Sequence, residues 1–170
     1  MRRTSKLILT TFAVTLIAAS AIIGKQVNLV WNASASVPIG LYRISAVDDL
    51  KHGDLALVRP PEALAQYLDR RSYLPQNIPL LKHVAALDRD TVCRRQTTIT
   101  INSKLVAEAL VADRKGRLLP VWSGCITLGR DQVFLLNETF QDSLDGRYFG
   151  PLPRTTVIGE AAPLFILNHR

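Results

Sequence analysis

Ser34 and Ser36 place two hydroxyls in the stretch Asn32-Ala33-Ser34-Ala35-Ser36-Val37-Pro38-Ile39-Gly40-Leu41-Tyr42, where proline and glycine point to fixed, exposed backbone rather than packed core. A serine hydroxyl becomes a useful nucleophile only when a base takes its proton. Three histidines and one lysine are the candidates. His169 stands beside the C-terminus, and His52 precedes the Gly53-Asp54 turn, a solvated position. Lys82 and His83 are neighbours in the apolar run Leu80–Leu87, and successive strand side chains point to opposite faces. Only one of the pair can therefore reach a given cleft. A Ser36–His83–Asp triad is one arrangement, but no nucleophile elbow or other triad signature surrounds Ser36. Lys82 has Leu80 and Val84 two positions away and so shares a face with core residues. Burial favours the neutral amine, and each unit of pKa depression corresponds to about 1.4 kcal/mol. The other reading of Lys82 is an amine that snorkels to the surface.

These groups need a scaffold, and the chain divides into an anchor and one exported domain. Arg2, Arg3 and Lys6 precede an uncharged run from Leu7 to Gly24, which as a helix spans about 27 Å at roughly 1.5 Å per residue. The flanking charge puts the N-terminus in the cytoplasm and everything after Lys25 outside. Ala33-Ser34-Ala35 spells a cleavage site for a removable leader, but it lies well beyond the apolar run, and the run exceeds a usual leader core. A retained anchor over residues 1–25 and an exported domain over 26–170 are the expectation.

The exported part reads as mainly β. Leu55–Val58, Leu80–Leu87, Thr97–Ile101 with its return through Leu105-Val106-Ala107, Val133–Leu136 and a short Val157-Ile158 are the expected strands. Gly129 and Gly159 read as punctuation. One helix is expected from Glu62 to Arg71, within an insertion over about residues 60–79 that could act as a lid or touch the membrane. Many short strands at turn-marked spacing suggest a sandwich or a partly closed barrel. Cys93 and Cys125 fit no metal-ligand spacing, and in an oxidising compartment they are expected to form a disulfide. No metal or other cofactor is expected. The net charge is +7 without a basic run or an aromatic-interleaved basic patch, so a lipid surface, not a nucleic acid, is the expected partner.

Ser36-Val37-Pro38-Ile39-Gly40-Leu41-Tyr42, Gly53-Asp54, Lys82-His83-Val84 and Ser143-Leu144-Asp145-Gly146-Arg147-Tyr148-Phe149-Gly150-Pro151 occur in that order behind the apolar run. Together they resemble the Ser/Lys signal peptidases, most closely the conjugative-transfer branch of TraF-type pilin-maturation peptidases. The proline falls two residues after Ser36, followed by glycine and tyrosine, as in that branch. The resemblance implies a signal-peptidase-like β fold with Ser36 as nucleophile and Lys82 as general base. It implies an oxyanion hole from the Ser36 N–H and the Ser34 hydroxyl, with Ser143 orienting the lysine amine and Asp145 and Arg147 supporting it. Two departures stand out: Gly146 where the family has serine, and Asp88-Arg89-Asp90 in place of a Pro-Gly-Asp turn.

The implied reaction is acyl transfer at the outer face of a bacterial cytoplasmic membrane. The substrate would be a membrane-inserted pilin precursor, or another exported precursor, cut after small residues. Water, or the substrate's own N-terminal amine, would resolve the acyl-enzyme. A general preprotein signal peptidase and a non-catalytic anchored β-domain of a secretion apparatus are the rival readings. For the site residues, an ordinary turn hydroxyl at Ser34, a polar turn at Ser143–Gly146 and a purely stabilising ion pair at Asp145 remain open.

Overall fold

In a computed structural model of the chain, residues 28–167 are described. The apolar run Leu7–Gly24 and His169 lie outside these residues. Among the described residues, no helix is long and apolar enough to cross a membrane.

The fold is mainly β, in two antiparallel sheets. The strands in chain order are β1 (Asn28–Asn32), β2 (Gly40–Ser45), β3 (Leu55–Val58), β4 (Leu80–Ala86), β5 (Thr91–Arg95), β6 (Thr98–Ile101), β7 (Lys104–Glu108), β8 (Gly124–Thr127), β9 (Gln132–Leu136), β10 (Leu152–Pro153) and β11 (Val157–Ile166). The larger sheet runs β1-β2-β11-β3-β4-β9-β10 and the smaller β7-β6-β5-β8. Among the described residues there are also two short α-helices, α1 (Glu62–Arg70) and α2 (Gly146–Phe149), and one 3-10 turn at Arg154–Thr156.

Both sheets are open, so the expected barrel does not close. The larger sheet ends on one side at β10, only two residues long and finishing in Pro153, and on the other at β1. The β1 strand carries the chain straight into the serine stretch, and among the described residues no strand pairs with its outer edge.

Local chemistry explains the elements that hold the site. Leu80–Ala86 buries Leu81, Lys82, Val84 and Ala86 and pairs with β3 and β9 on its two sides, with Lys82 opposite Ala56 and His83 opposite Leu136. The β6–β7 hairpin turns through Asn102 and Ser103, both at positive φ (50° and 68°), the conformation a two-residue mirror-image turn requires. Helix α1 follows Pro61, carries Glu62 in its first turn and Arg70 in its last, and buries Leu68. Val157-Ile158 opens a strand of 10 residues rather than a short one. That strand leaves β3 to pair with β2, and Gly159 sits at the crossing, where a Cβ would come within 2.3 Å of Ile44 Cγ2. Gly159 is there for close packing, not for a turn.

The core has two parts that matter for the site. Val37, Tyr42, Ile44, Leu57, Leu81 and Ala161 form a buried cluster beneath the serine stretch. Ala86, Val92, Ile99, Leu128, Phe134 and Leu136 join the two sheets. The smaller sheet is cross-linked by a Cys93–Cys125 disulfide between directly paired residues of β5 and β8, the bond expected of an exported domain.

Candidate active site

The serine stretch is shaped by Asn32, at the end of β1 and only 7% exposed. Its Nδ2 donates to the carbonyls of Ser34 (2.8 Å), Val37 (3.0 Å) and Pro38 (3.1 Å), which fixes Oδ1 as the acceptor. That oxygen accepts from the Ser34 backbone N–H (3.1 Å) and from the Ser34 hydroxyl (2.9 Å). Tyr42, buried in β2, donates its hydroxyl to Pro38 O at 2.6 Å and closes the loop from below. One buried amide thus replaces the ladder partners that the chain loses between β1 and β2. Ser36 is left half-buried, its Oγ 3.2 Å from Ser34 Oγ. Because the Ser34 proton is committed to Asn32, the Ser36 hydroxyl is the donor in that pair.

Lys82 is 4% exposed, and its Nζ donates to Ser143 Oγ at 2.8 Å. Burial draws the amine pKa down to about 8 against the opposing pull of Asp145, and the Arg147 charge adds to the depression. The snorkelling alternative for Lys82 is thereby excluded. Ser143 is itself buried, with its N–H on Phe140 O at 3.0 Å.

Asp145 and Arg147 form a fully buried ion pair, Nη2 to Oδ2 at 2.8 Å and Nε to Oδ1 at 2.9 Å. Arg147 also donates to the carbonyls of Asn137, Phe140 and Gln141, and Asp145 accepts from the N–H of Asn137 and of Arg147. This clamp holds the loop that carries Ser143. The Ser143–Gly146 stretch, for which an ordinary polar turn was the alternative reading, has Ser143, Asp145 and Gly146 buried and leads into α2, capped by Asp145.

Ser34, Ser36, Lys82 and Ser143 line one cleft of about 410 Å³. Among the hydrogen bonds of the described residues, none joins Ser36 to Lys82; each hydroxyl or amine is held by its own neighbour. The insertion forms an apolar wall of this cleft through Leu68, Tyr73, Leu74 and Ile78. It is tied down by Tyr73 Oη on Asp113, by Arg117 on Arg71 O (3.0 Å) and by Arg71 on Leu118 O (2.9 Å). Those ties describe a fixed wall better than a swinging lid.

Neither His52 nor His83 lines the cleft. His52 is mostly exposed and bonds Asp90 at 2.6 Å, while His83 Nδ1 is turned to Asn137 Oδ1 at 3.1 Å. The Ser36–His83–Asp arrangement is therefore not formed. Among the described residues, no group of three or more His, Cys, Asp or Glu side chains is gathered as a metal site.

Comparison with known proteins decides the family. The family described as signal peptidase, peptidase S26, matches residues 1–166. This chain belongs to it. Among curated relatives of this S26 chain, a conjugal transfer protein TraF of Agrobacterium fabrum is 32% identical, covering 81% of this chain and 82% of its own. A plasmid transfer protein TraF of Escherichia coli is 31% identical over 74% of this chain and 76% of its own, and a probable conjugal transfer protein TraF of Sinorhizobium fredii is 33% identical over 90% and 83%. A solved signal peptidase I from Enterococcus faecalis aligns with 68% of this chain and 98% of its own at 18% identity, with a TM-score of 0.40.

The two departures from the S26 pattern have local explanations. A Cβ at Gly146 would lie 2.6 Å from Phe134 Cε2 and 2.7 Å from Leu135 O, so the phenyl ring occupies the space a serine would need. In the Asp88-Arg89-Asp90 turn, Arg89 takes φ 70°, the left-handed geometry that a glycine adopts freely. Asp90 supports the turn by accepting from Leu87 N (2.8 Å) and Asn102 Nδ2 (2.7 Å).

Three polar residues escaped the reading from sequence. Asn32 and Asn137 each sit in an N-x-S/T triplet that by its pattern reads as a glycan acceptor, yet both are buried and hydrogen-bonded inside the fold. Arg94, 2% exposed, donates to Gln96 O (3.0 Å), Pro120 O (3.2 Å) and Arg147 O, linking the smaller sheet to α2. A buried arginine in a short polar strand carries no pattern by which to find it.

Proposed function

We propose that this S26 chain is a membrane-anchored serine endopeptidase in which Ser36 is the nucleophile and Lys82 the general base. The observation that carries the reading is a buried amine with a pKa near 8, held by Ser143 on the wall of the same cleft that exposes Ser36. In the resting arrangement the Ser36 proton points to Ser34. Substrate binding turns the hydroxyl toward Lys82, which takes the proton as Oγ attacks the scissile carbonyl. The oxyanion forms at the Ser36 N–H, and the Ser34 hydroxyl reaches it by leaving Asn32, a contribution of about 3 kcal/mol per donor. The Lys82 ammonium then protonates the departing amine, leaving an acyl-enzyme on Ser36. Water or an incoming amine gives its proton to Lys82 and takes the acyl group, and Lys82 returns that proton to the departing Ser36 Oγ. Asp145 and Arg147 act through the loop they hold, keeping Ser143 at the amine.

The substrate lies extended along the free outer edge of β1, which carries Val30, Trp31 and Asn32 into the cleft. Its side chains meet the apolar wall of Leu68, Leu74 and Ile78. The conjugal and plasmid transfer names of the relatives favour a pilin precursor as that substrate. The run Leu7–Gly24 anchors the chain in the cytoplasmic membrane, with residues 26–170 forming the exported domain, where the Cys93–Cys125 disulfide is stable. Confinement to one plane raises the effective concentration of substrate at the cleft.

Mass spectrometry of a co-expressed pilin precursor, with and without this chain, tests the reading. Processing that requires this chain supports it, and identical precursor masses in both cells would refute it. A product one water lighter than the trimmed linear chain means amine attack and head-to-tail closure; the linear mass means hydrolysis.

A further inference from the structure

We infer that Asn137 is a positioning residue for the reaction, fixing the Lys82 strand by continuing the β4–β9 ladder with its side chain. This rests on the assignment of Lys82 as base.

The β9 strand ends at Leu136, opposite His83, and the main chain then leaves for the loop that carries Ser143. One step further along β4, Leu81 and His83 would turn a carbonyl and an N–H toward a strand that is no longer there. The Asn137 amide takes its place: Nδ2 donates to Leu81 O at 3.2 Å and Oδ1 accepts from His83 N at 3.1 Å. A side-chain amide offers the same donor and acceptor as a peptide group, so the ladder is extended by one rung without a strand. The residue between those two backbone contacts is Lys82.

The main chain of Asn137 engages the other half of the site. Its N–H donates to Asp145 Oδ2 at 3.1 Å, and its carbonyl accepts from Arg147 Nη2 at 3.2 Å. Asn137 is 1% exposed, and every polar group it has is used on one side for Lys82 and on the other for the Ser143 loop. It does not line the cleft, so it has no route to the substrate. The charged groups around the Lys82 amine are Asp145 and Arg147 at α2, with Asp142 on the cleft wall, and His83 points its ring nitrogen to Asn137 itself.

Two variants of the full-length, membrane-anchored protein test this. Asn137→Asp keeps an acceptor for His83 N, loses the donor for Leu81 O when ionised, and adds a negative charge beside the strand. Asn137→Ser removes the bridge without adding charge and leaves room for water. With folding checked by thermal melting, each is expected to lower kcat at least tenfold with KM within twofold of wild type. For Asn137→Asp, the acid limb of the pH profile is also expected to move upward. The Lys82 13Cε resonance, titrated by NMR in substrate-free protein, should move to higher pH in the same variant, and this readout does not depend on activity. If Lys82→Ala remains active, the base assignment fails while the titration still judges Asn137. Folded Asn137 variants with wild-type kcat and an unmoved Lys82 titration would overturn the proposal.

Discussion

With its pKa near 8, about one Lys82 amine in ten is neutral at pH 7, enough to accept a proton yet costly to the fold. The folded state binds fewer protons than the unfolded chain between roughly pH 8 and 10.5, so stability contributed by this group rises with pH across that window. Below pH 8 the full penalty of about 3 kcal/mol is present. Lys82→Met should therefore melt at a higher temperature than wild type at pH 7, and the margin should close as the pH approaches 10.5; a margin that ignores pH would show that Lys82 carries no burial penalty. Lys82→Arg should fold and be inactive, because a guanidinium holds its proton at any working pH. Peptide-cleavage assays on the purified variant check this. The two buried asparagines carry the same lesson at smaller scale. Asn32 and Asn137 each substitute one amide for missing ladder partners, at the Ser36 loop and at the Lys82 strand respectively.

At the scale of elements, Gly146 and Arg89 make opposite predictions. Restoring the family serine with Gly146→Ser drives a Cβ into Phe134 and the Leu135 carbonyl, at a cost of about 1–3 kcal/mol. Arg89→Gly relieves a left-handed residue and should gain about 0.5 kcal/mol, less than its full strain because glycine also loosens the unfolded chain. Urea denaturation of both variants checks the pair. The same elements show what sequence can reveal. Strand β3 and helix α1 were legible because their ends are marked by Gly53-Asp54, Pro60-Pro61 and a periodic apolar face. Lys82 stood out because a cation in an apolar run is chemically odd. Strands β5 and β8 were not legible: β5 alternates in burial, but one of its buried positions is Arg94, which bonds carbonyls, and every residue of β8 is exposed, so neither shows an alternating polarity in the sequence. Strand β11 reads as ending at Gly159, yet it continues against β2 with a bulge past Pro163. The serine stretch looked like exposed loop; its last three residues, Gly40–Tyr42, in fact open β2, with Tyr42 1% exposed.

Across the whole molecule, two sheets meet at one core, and the site lies where the larger sheet loses partners at β1 and at the end of β9. The smaller sheet supports the site by packing Val92 and Ile99 against Ala86, Phe134 and Leu136 and by the Arg94 bond to the Arg147 carbonyl. Its disulfide closes a loop of 32 residues, and in the chain-entropy model its removal by Cys93→Ser with Cys125→Ser costs about 3–4 kcal/mol. Thermal melting should show that loss, with the remaining folded fraction still active, since neither cysteine lines the cleft. The central claim is that Ser36 and Lys82 act as one unit on a peptide bond. Its most direct test is cleavage of a precursor peptide by the full-length protein in lipid vesicles, followed from pH 6 to 10 beside Ser36→Ala and Lys82→Ala. The account predicts a wild-type kcat/KM that climbs through about pH 8 and levels off, with no product from either variant. Product formed at the wild-type rate by either variant would contradict it.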